Sequence, residues 1–239
     1  MRRLALVLTA LPLVAQGTRA VEAPSLAQGE ALLARVDLLR HPWPSFTVDL
    51  DLQAGRQDQR WRVSTRENGD VRLEGLSDKE KGRAVLMRGE DMWLLLPGTR
   101  RPIRVTPQQR LLGPAAGGDV ARTRFHEDYR VVGIASDTLD GKACWRLELA
   151  AKRPALSARS VRLWVARDGE APIQAEFRLA SGKLARTARF AAPGQAAGRP
   201  VLTEMTLLEA SGATATLRFS HWRPGGVDPD LFELPGGAP

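Results

Sequence analysis

From Phe46 onward the chain keeps to one rhythm. Apolar and polar side chains alternate in short runs, and each run ends at a turn. "FTVDLDLQ" sets Phe46, Val48, Leu50 and Leu52 on one face and Thr47, Asp49 and Asp51 on the other. A period of two is the signature of a half-buried strand. "RWRVST", "VRLEG", "RAVLMRG", "RVVGIAS", "KACWRLELA", "SVRLWVA", "PIQAEFRLA", "KLARTARFA", "PVLTEMTLLEA" and "ATATLRFSH" continue the pattern. Asn68-Gly69, Asp140-Gly141, Asp168-Gly169, Ser181-Gly182 and Ser211-Gly212 stand between the runs, and such pairs favour hairpin turns. No linker or solenoid repeat interrupts the series. The spacing predicts about 11–13 antiparallel strands in one strongly curved sheet, with a closed sandwich as the competing architecture.

Little else is available to cover that sheet. Residues 25–40 read as a helix, with Ser25 as N-cap and Leu32, Leu33, Val36, Leu38 and Leu39 as a broad apolar stripe. His41-Pro42-Trp43-Pro44 stops it. Residues 107–129 break the strand rhythm with Gly113-Pro114 and Gly117-Gly118 and read as a long excursion with one or two helical turns. One helix and such short pieces are expected to cover the concave face and to leave a cavity.

The run "DMWLLLPGTRRPIRV", Asp91 to Val105, sharpens the point. A strand in a one-sided sheet alternates; this one is apolar on both faces. Either both faces are covered or one is kept for a ligand. Arg100, Arg101 and Arg104 follow it; their bland reading is to solvate a loop and an edge strand, and their sharper one is as cavity-mouth or partner contacts.

The chain has 239 residues, of which 43% are hydrophobic, enough for a real core in one large domain. Arg2 and Arg3, the apolar run Leu4 to Ala15, and Thr18 and Ala20 at a cleavage site match a signal peptide over residues 1–20. That leaves 21–239 as a single domain. The run is too short to span a membrane. Removing Arg2, Arg3 and Arg19 lowers the formal charge from +8 to +5. The remaining cations are scattered along strands, which argues against nucleic acid.

Catalytic chemistry finds no foothold. His41, His126 and His221 lack metal-ligand spacing. His126-Glu127-Asp128-Tyr129 is the one candidate acid–base cluster, and its bland reading is a surface segment. No nucleophile elbow, phosphate loop or dinucleotide fingerprint is present. Cys144 alternates with Ala143 and Trp145, which places it on the face away from the core, and a single thiol makes no internal disulfide. The reading is a non-enzyme with no cofactor and no metal.

Several stretches in order resemble the LolA-like family of outer-membrane lipoprotein-sorting proteins. They are Trp93-x-x-x-Pro97 with Arg100-Arg101-Pro102-Ile103-Arg104, then "DGKACWRLELAAK", "VRLWVARDGEAPIQAEF", "PVLTEMTLLEASGATATLRF" and the terminal "VDPDLFEL". Leu95, where the family has an aromatic, and Gly118-Asp119-Val120 depart from its pattern. The resemblance implies an incomplete antiparallel barrel closed by short helices, and a soluble periplasmic carrier, monomeric, that shields lipid or the acyl chains of lipidated proteins. It also implies an inner-membrane transporter and an outer-membrane acceptor as partners. The alternative is a lipid-sensing regulatory or accessory protein of an inner-membrane lipid exporter on the same fold. The expected cargo-binding residues are Trp61, Val63, Met87, Trp93, Leu95, Trp145, Leu147, Leu163, Phe177 and Met205.

Overall fold

The computed structural model describes residues 24–99, 101–105 and 123–235; residues 1–20 and most of the 107–129 excursion lie outside them. The chain opens with helix α1, Leu26–Arg40. The Ser25 side chain accepts a hydrogen bond from the Gln28 N–H at 3.2 Å and so caps it. Its stripe buries Leu32, Leu33, Val36 and Leu39, while Leu38 points to solvent.

Strands follow. They are β1 (Phe46–Ala54), β2 (Gln57–Thr65), β3 (Val71–Gly75), β4 (Ala84–Arg88), β5 (Asp91–Leu95) and β6 (Ile103–Arg104), then a four-residue helix α2 (Phe125–Asp128). The second series is β7 (Tyr129–Leu139), β8 (Lys142–Ala151), β9 (Ser160–Ala166), β10 (Pro172–Arg178), β11 (Leu184–Phe190), β12 (Gly194–Ala196), β13 (Arg199–Val201), β14 (Glu204–Glu209) and β15 (Thr214–Pro224). Thirteen of them form one antiparallel sheet in the order β6-β5-β4-β3-β2-β1-β15-β14-β11-β10-β9-β8-β7. The small β12–β13 hairpin, which the alternation did not foretell, stands apart. It folds back on α1, where the Leu202 N–H donates to the Leu39 carbonyl at 2.8 Å.

The sheet remains open, with β6 and β7 as its edges. It is nonetheless strongly rolled. Eight strand-to-strand steps separate β3 from β8, and at about 20–25° of twist per step they accumulate roughly half a turn. Opposite ends of the two halves therefore meet. The β2–β3 and β4–β5 tips, at Asn68, Gly69 and Gly89, face Arg124, Asp128 and Arg153 across a cleft of about 100 Å³. Arg153 pairs with Asp128 there and lies 3.9 Å from Glu90.

The convex face is laced with cross-strand ion pairs, among them Arg62–Asp49 at 3.1 Å, Arg162–Glu148 at 2.7 Å and Arg218–Glu204 at 2.9 Å. Cys144 alternates with the inward Trp145, as the sequence indicates, yet is fully buried. Past β15 the chain runs through a 3-10 turn, Pro229–Phe232, and lays Phe232 and Leu234 over Leu86, Trp93 and Leu95.

Candidate functional site: the concave face

The registers carry one apolar surface from one end of the sheet to the other. Met92 pairs with Met87, Leu94 with Val85, Val85 with Leu73, Leu73 with Val63 and Val63 with Val48. On the far side Leu207 pairs with Ala188, Ala188 with Ala175, Ala175 with Leu163 and Leu163 with Leu147. Directly paired residues point to the same face, and all of these belong to one cluster with Leu32, Leu33 and Val36 of α1. Trp61, Val63, Met87, Leu147, Leu163, Phe177 and Met205 lie buried in it, and Trp145 is half-buried against it.

Trp93 and Leu95 do not. Leu86 pairs with Trp93 and Ala84 with Leu95, and these residues point to the convex side beneath Phe232 and Leu234. The expectation that Trp93 and Leu95 face the concave side is therefore corrected. β5 is apolar on both faces because both are covered, one by the core and one by the C-terminal tail. Of the arginines behind it, Arg101 is exposed and Arg104 pairs with Asp91; Arg100 lies outside the described residues.

The structure adds an aromatic group that lies outside the expected cargo-binding residues. Trp43, Phe46, Phe219 and Trp222 pack together, with ring centroids 5.3 Å apart for Phe46–Trp222 and 6.3 Å for Trp43–Trp222. Trp43, Phe219 and Trp222 are half-buried, and the Trp222 Nε1 is buried without a hydrogen-bond partner. A bulge in β15, where His221, with its φ of 51°, and Trp222 together stand opposite Val48 of β1, hides this arrangement from simple alternation.

Helix α1 sits on the concave face through close contacts. A Cβ built on Gly29 would stand 2.9 Å from a Val131 methyl and 3.5 Å from a Leu147 methyl. The Glu30 carboxylate accepts the Val131 N–H at 2.8 Å, beside a bulge in the edge strand β7. Gly29→Leu is expected to lift the helix, lower stability by about 2–4 kcal/mol and raise binding of a dye sensitive to exposed apolar surface. Thermal melts and dye titration check both; an unchanged melt would show that the helix is not seated this closely.

The C-terminal end of α1 is a buried polar junction. The Asp37 carboxylate accepts the N–H groups of Phe125 and His126, each at 2.8 Å. Arg40 donates to the Thr123 carbonyl at 2.8 Å and lies over the Phe125 ring. Burial pushes the Asp37 carboxyl up to about 6, against the opposing pull of Arg40 and the two N–H groups. Burial also holds His41 well below the usual histidine range. The signs differ. Folded Asp37 holds its proton more tightly than the unfolded chain does, so its contribution is present below the ordinary aspartate range and is lost as pH rises to about 6. Buried neutral His41 contributes above about 6.5, and that contribution is lost as pH falls. Asp37→Asn is expected to remove a fall in stability of at most about 3 kcal/mol between about pH 4 and 6, read as the difference between wild-type and variant urea midpoints across that range. Parallel midpoints would show that Asp37 titrates normally.

Ser220, His221 and Asp49 come together on the convex face, but Ser220 Oγ and Asp49 Oδ2 both approach His221 Nδ1, at 3.1 and 3.5 Å. A nucleophile relay uses both ring nitrogens, and this arrangement uses one. His126 and Glu127 are exposed on α2, with Glu127 paired to Arg124 at 3.0 Å. Among the described residues no group of three or more metal-ligating side chains converges.

The model of a family described as an uncharacterized protein matches residues 76–234. No curated protein sequence matches the chain. Among solved structures, a LolA superfamily protein from Nitrosomonas europaea superposes with a TM-score of 0.73 and 28% identity, covering 85% of this chain and 96% of that one. A domain assigned to outer membrane lipoprotein sorting from Vibrio parahaemolyticus superposes with a TM-score of 0.70 at 17% identity, covering 87% and 97%. A DUF1329 family protein from Desulfovibrio piger does so with the same score, identity and coverage.

Proposed function

The chain belongs to the LolA-like family, and from that premise we propose that it is a periplasmic carrier which takes lipid, or the acyl chains of lipidated proteins, onto the concave face of its sheet. The observation that carries this reading is the continuous apolar face running from β5 to β8 under a single helix. A 16-carbon acyl chain exposed to water costs on the order of 12 kcal/mol, so cargo needs an apolar surface to cross an aqueous compartment. Leu32, Leu33 and Val36 of α1 occupy that surface now. Acyl chains take their place, and the helix moves aside on its loops. The half-buried rings of Trp43, Phe219 and Trp222 give the entering chain a first apolar contact. Binding of this kind uses no catalytic residue, metal or cofactor. Among the described residues no helix is long and apolar enough to cross a membrane. An inner-membrane transporter supplies the cargo and an outer-membrane acceptor receives it.

Two measurements test the reading. Mass spectrometry of protein purified from periplasm should find phospholipid or lipopeptide retained, and the protein should bind a fluorescent fatty acid. A protein that retains no lipid and binds no amphiphile ends the carrier reading. N-terminal sequencing of the exported protein should begin at Val21 or within a few residues of it; an intact Met1 in the cytoplasm would remove the periplasmic assignment.

A further inference from the structure

Most arginines of the described residues are held by acids, carbonyls or rings. One corner of the sheet is different. The β3–β4 loop, residues 76–83, packs beside the β5–β6 loop, where a Cβ on Gly82 would lie 3.1 Å from Pro97. The same loop is tied to β2, with the Leu76 N–H donating to the Arg60 carbonyl at 2.8 Å. Between β2 and the loop lies a cleft of about 410 Å³ lined by Gln57, Asp58, Gln59, Lys79, Glu80 and Arg83. Arg56, Lys79, Lys81, Arg83 and Arg101 are exposed around it, and among the described residues none of these five side chains makes an ion pair. Asp58 and Asp78 are the exposed acids nearby, while Glu80 is buried and accepts from the Ser77 hydroxyl. One apolar side chain projects from the same loop, Leu76 at 37% exposure.

We propose that this corner docks on an anionic bilayer surface. The cations match the negative potential of such a surface in sign and in grouping. Leu76 stands singly on its loop beside these cations, which suits shallow insertion among lipid headgroups. The contact is made outside the concave face, so it brings the protein to the membrane without using the surface proposed to hold cargo.

The test is co-sedimentation of the mature protein with vesicles of phosphatidylcholine alone and of phosphatidylcholine mixed with phosphatidylglycerol. The protein is expected to bind the mixed vesicles and to release as salt rises. Each cation neutralised should lower partitioning about fivefold, so Lys79→Gln, Lys81→Gln and Arg83→Gln together should lower it on the order of 100-fold. Leu76→Ser should lower what binding persists at high salt. Fatty-acid binding and thermal melts of the same variants should match wild type. Absence of vesicle binding, equal binding to both vesicle types, or a triple variant that partitions like wild type overturns the proposal. Because fatty-acid binding is measured separately, that result leaves the carrier reading to stand or fall alone.

Discussion

Leu163→Asp is expected to leave no stably folded protein at room temperature. Leu163 is fully buried, with Leu147 beside it on β8 and Ala175 on β10. Losing the leucine costs about 2–5 kcal/mol, and burying a carboxylate with no partner costs several more. The sum is comparable with the roughly 5–15 kcal/mol that holds a typical domain together. Circular dichroism and urea denaturation read the outcome. The result also discriminates between two states of the concave face. A face filled by α1 has no room for a charge, whereas a wet cavity hydrates the carboxylate and the variant folds. A cooperative transition at the wild-type midpoint would show that water already reaches Leu163, and that cargo enters without displacing the helix.

Phe232→Ala is expected to lower stability by about 3–5 kcal/mol while leaving fatty-acid affinity unchanged. The ring is fully buried against Leu86, Trp93 and Leu95, with the Arg66 guanidinium 4.4 Å from its centroid. The Arg72 side chain ties down the neighbouring Leu231 carbonyl at 2.6 Å. All of this lies on the convex side, a sheet's thickness from the surface proposed to hold cargo. Urea midpoint and probe affinity measured on one preparation separate the two faces. A loss of affinity in protein that remains folded would show that the tail acts on the concave side through the sheet.

Much of this was legible in the chain. Alternation from Phe46 to His221 fixes an antiparallel sheet, because a period of two has no other stable home. Ser25 and the prolines around Trp43 bound the helix. The faces of β5 were harder. A strand apolar on both sides gives parity no polar residue to mark the outside, so alternation alone does not say which face Trp93 and Leu95 share. The hairpin itself held the answer. The two-residue turn at Gly89-Glu90 pairs Arg88 with Asp91 and Met87 with Met92, so choosing Met87 as inward commits Met92 and Leu94 to that face and excludes Trp93 and Leu95. The aromatic group around Trp222 was illegible for another reason. It depends on a bulge and on a loop that returns from α1, and local sequence encodes neither the bulge partner nor the return. The β12–β13 hairpin carries no apolar alternation because it leans on a helix rather than spanning a core.

The first strand of the sheet pairs with the last. Leu50 lies opposite Phe219 at the middle of the sheet, not at an edge, so the centre of the fold closes between residues far apart in sequence. Contacts of such high separation are slow to form, because the intervening loop must lose its freedom before they reward it. Until β15 is in place, β1 presents a bare edge and each half of the sheet has only one side of its seam. The molecule therefore has no early half that is complete by itself. A chain built this way keeps the centre of its sheet open until its C-terminal end is available, so its central seam is among the last parts to close.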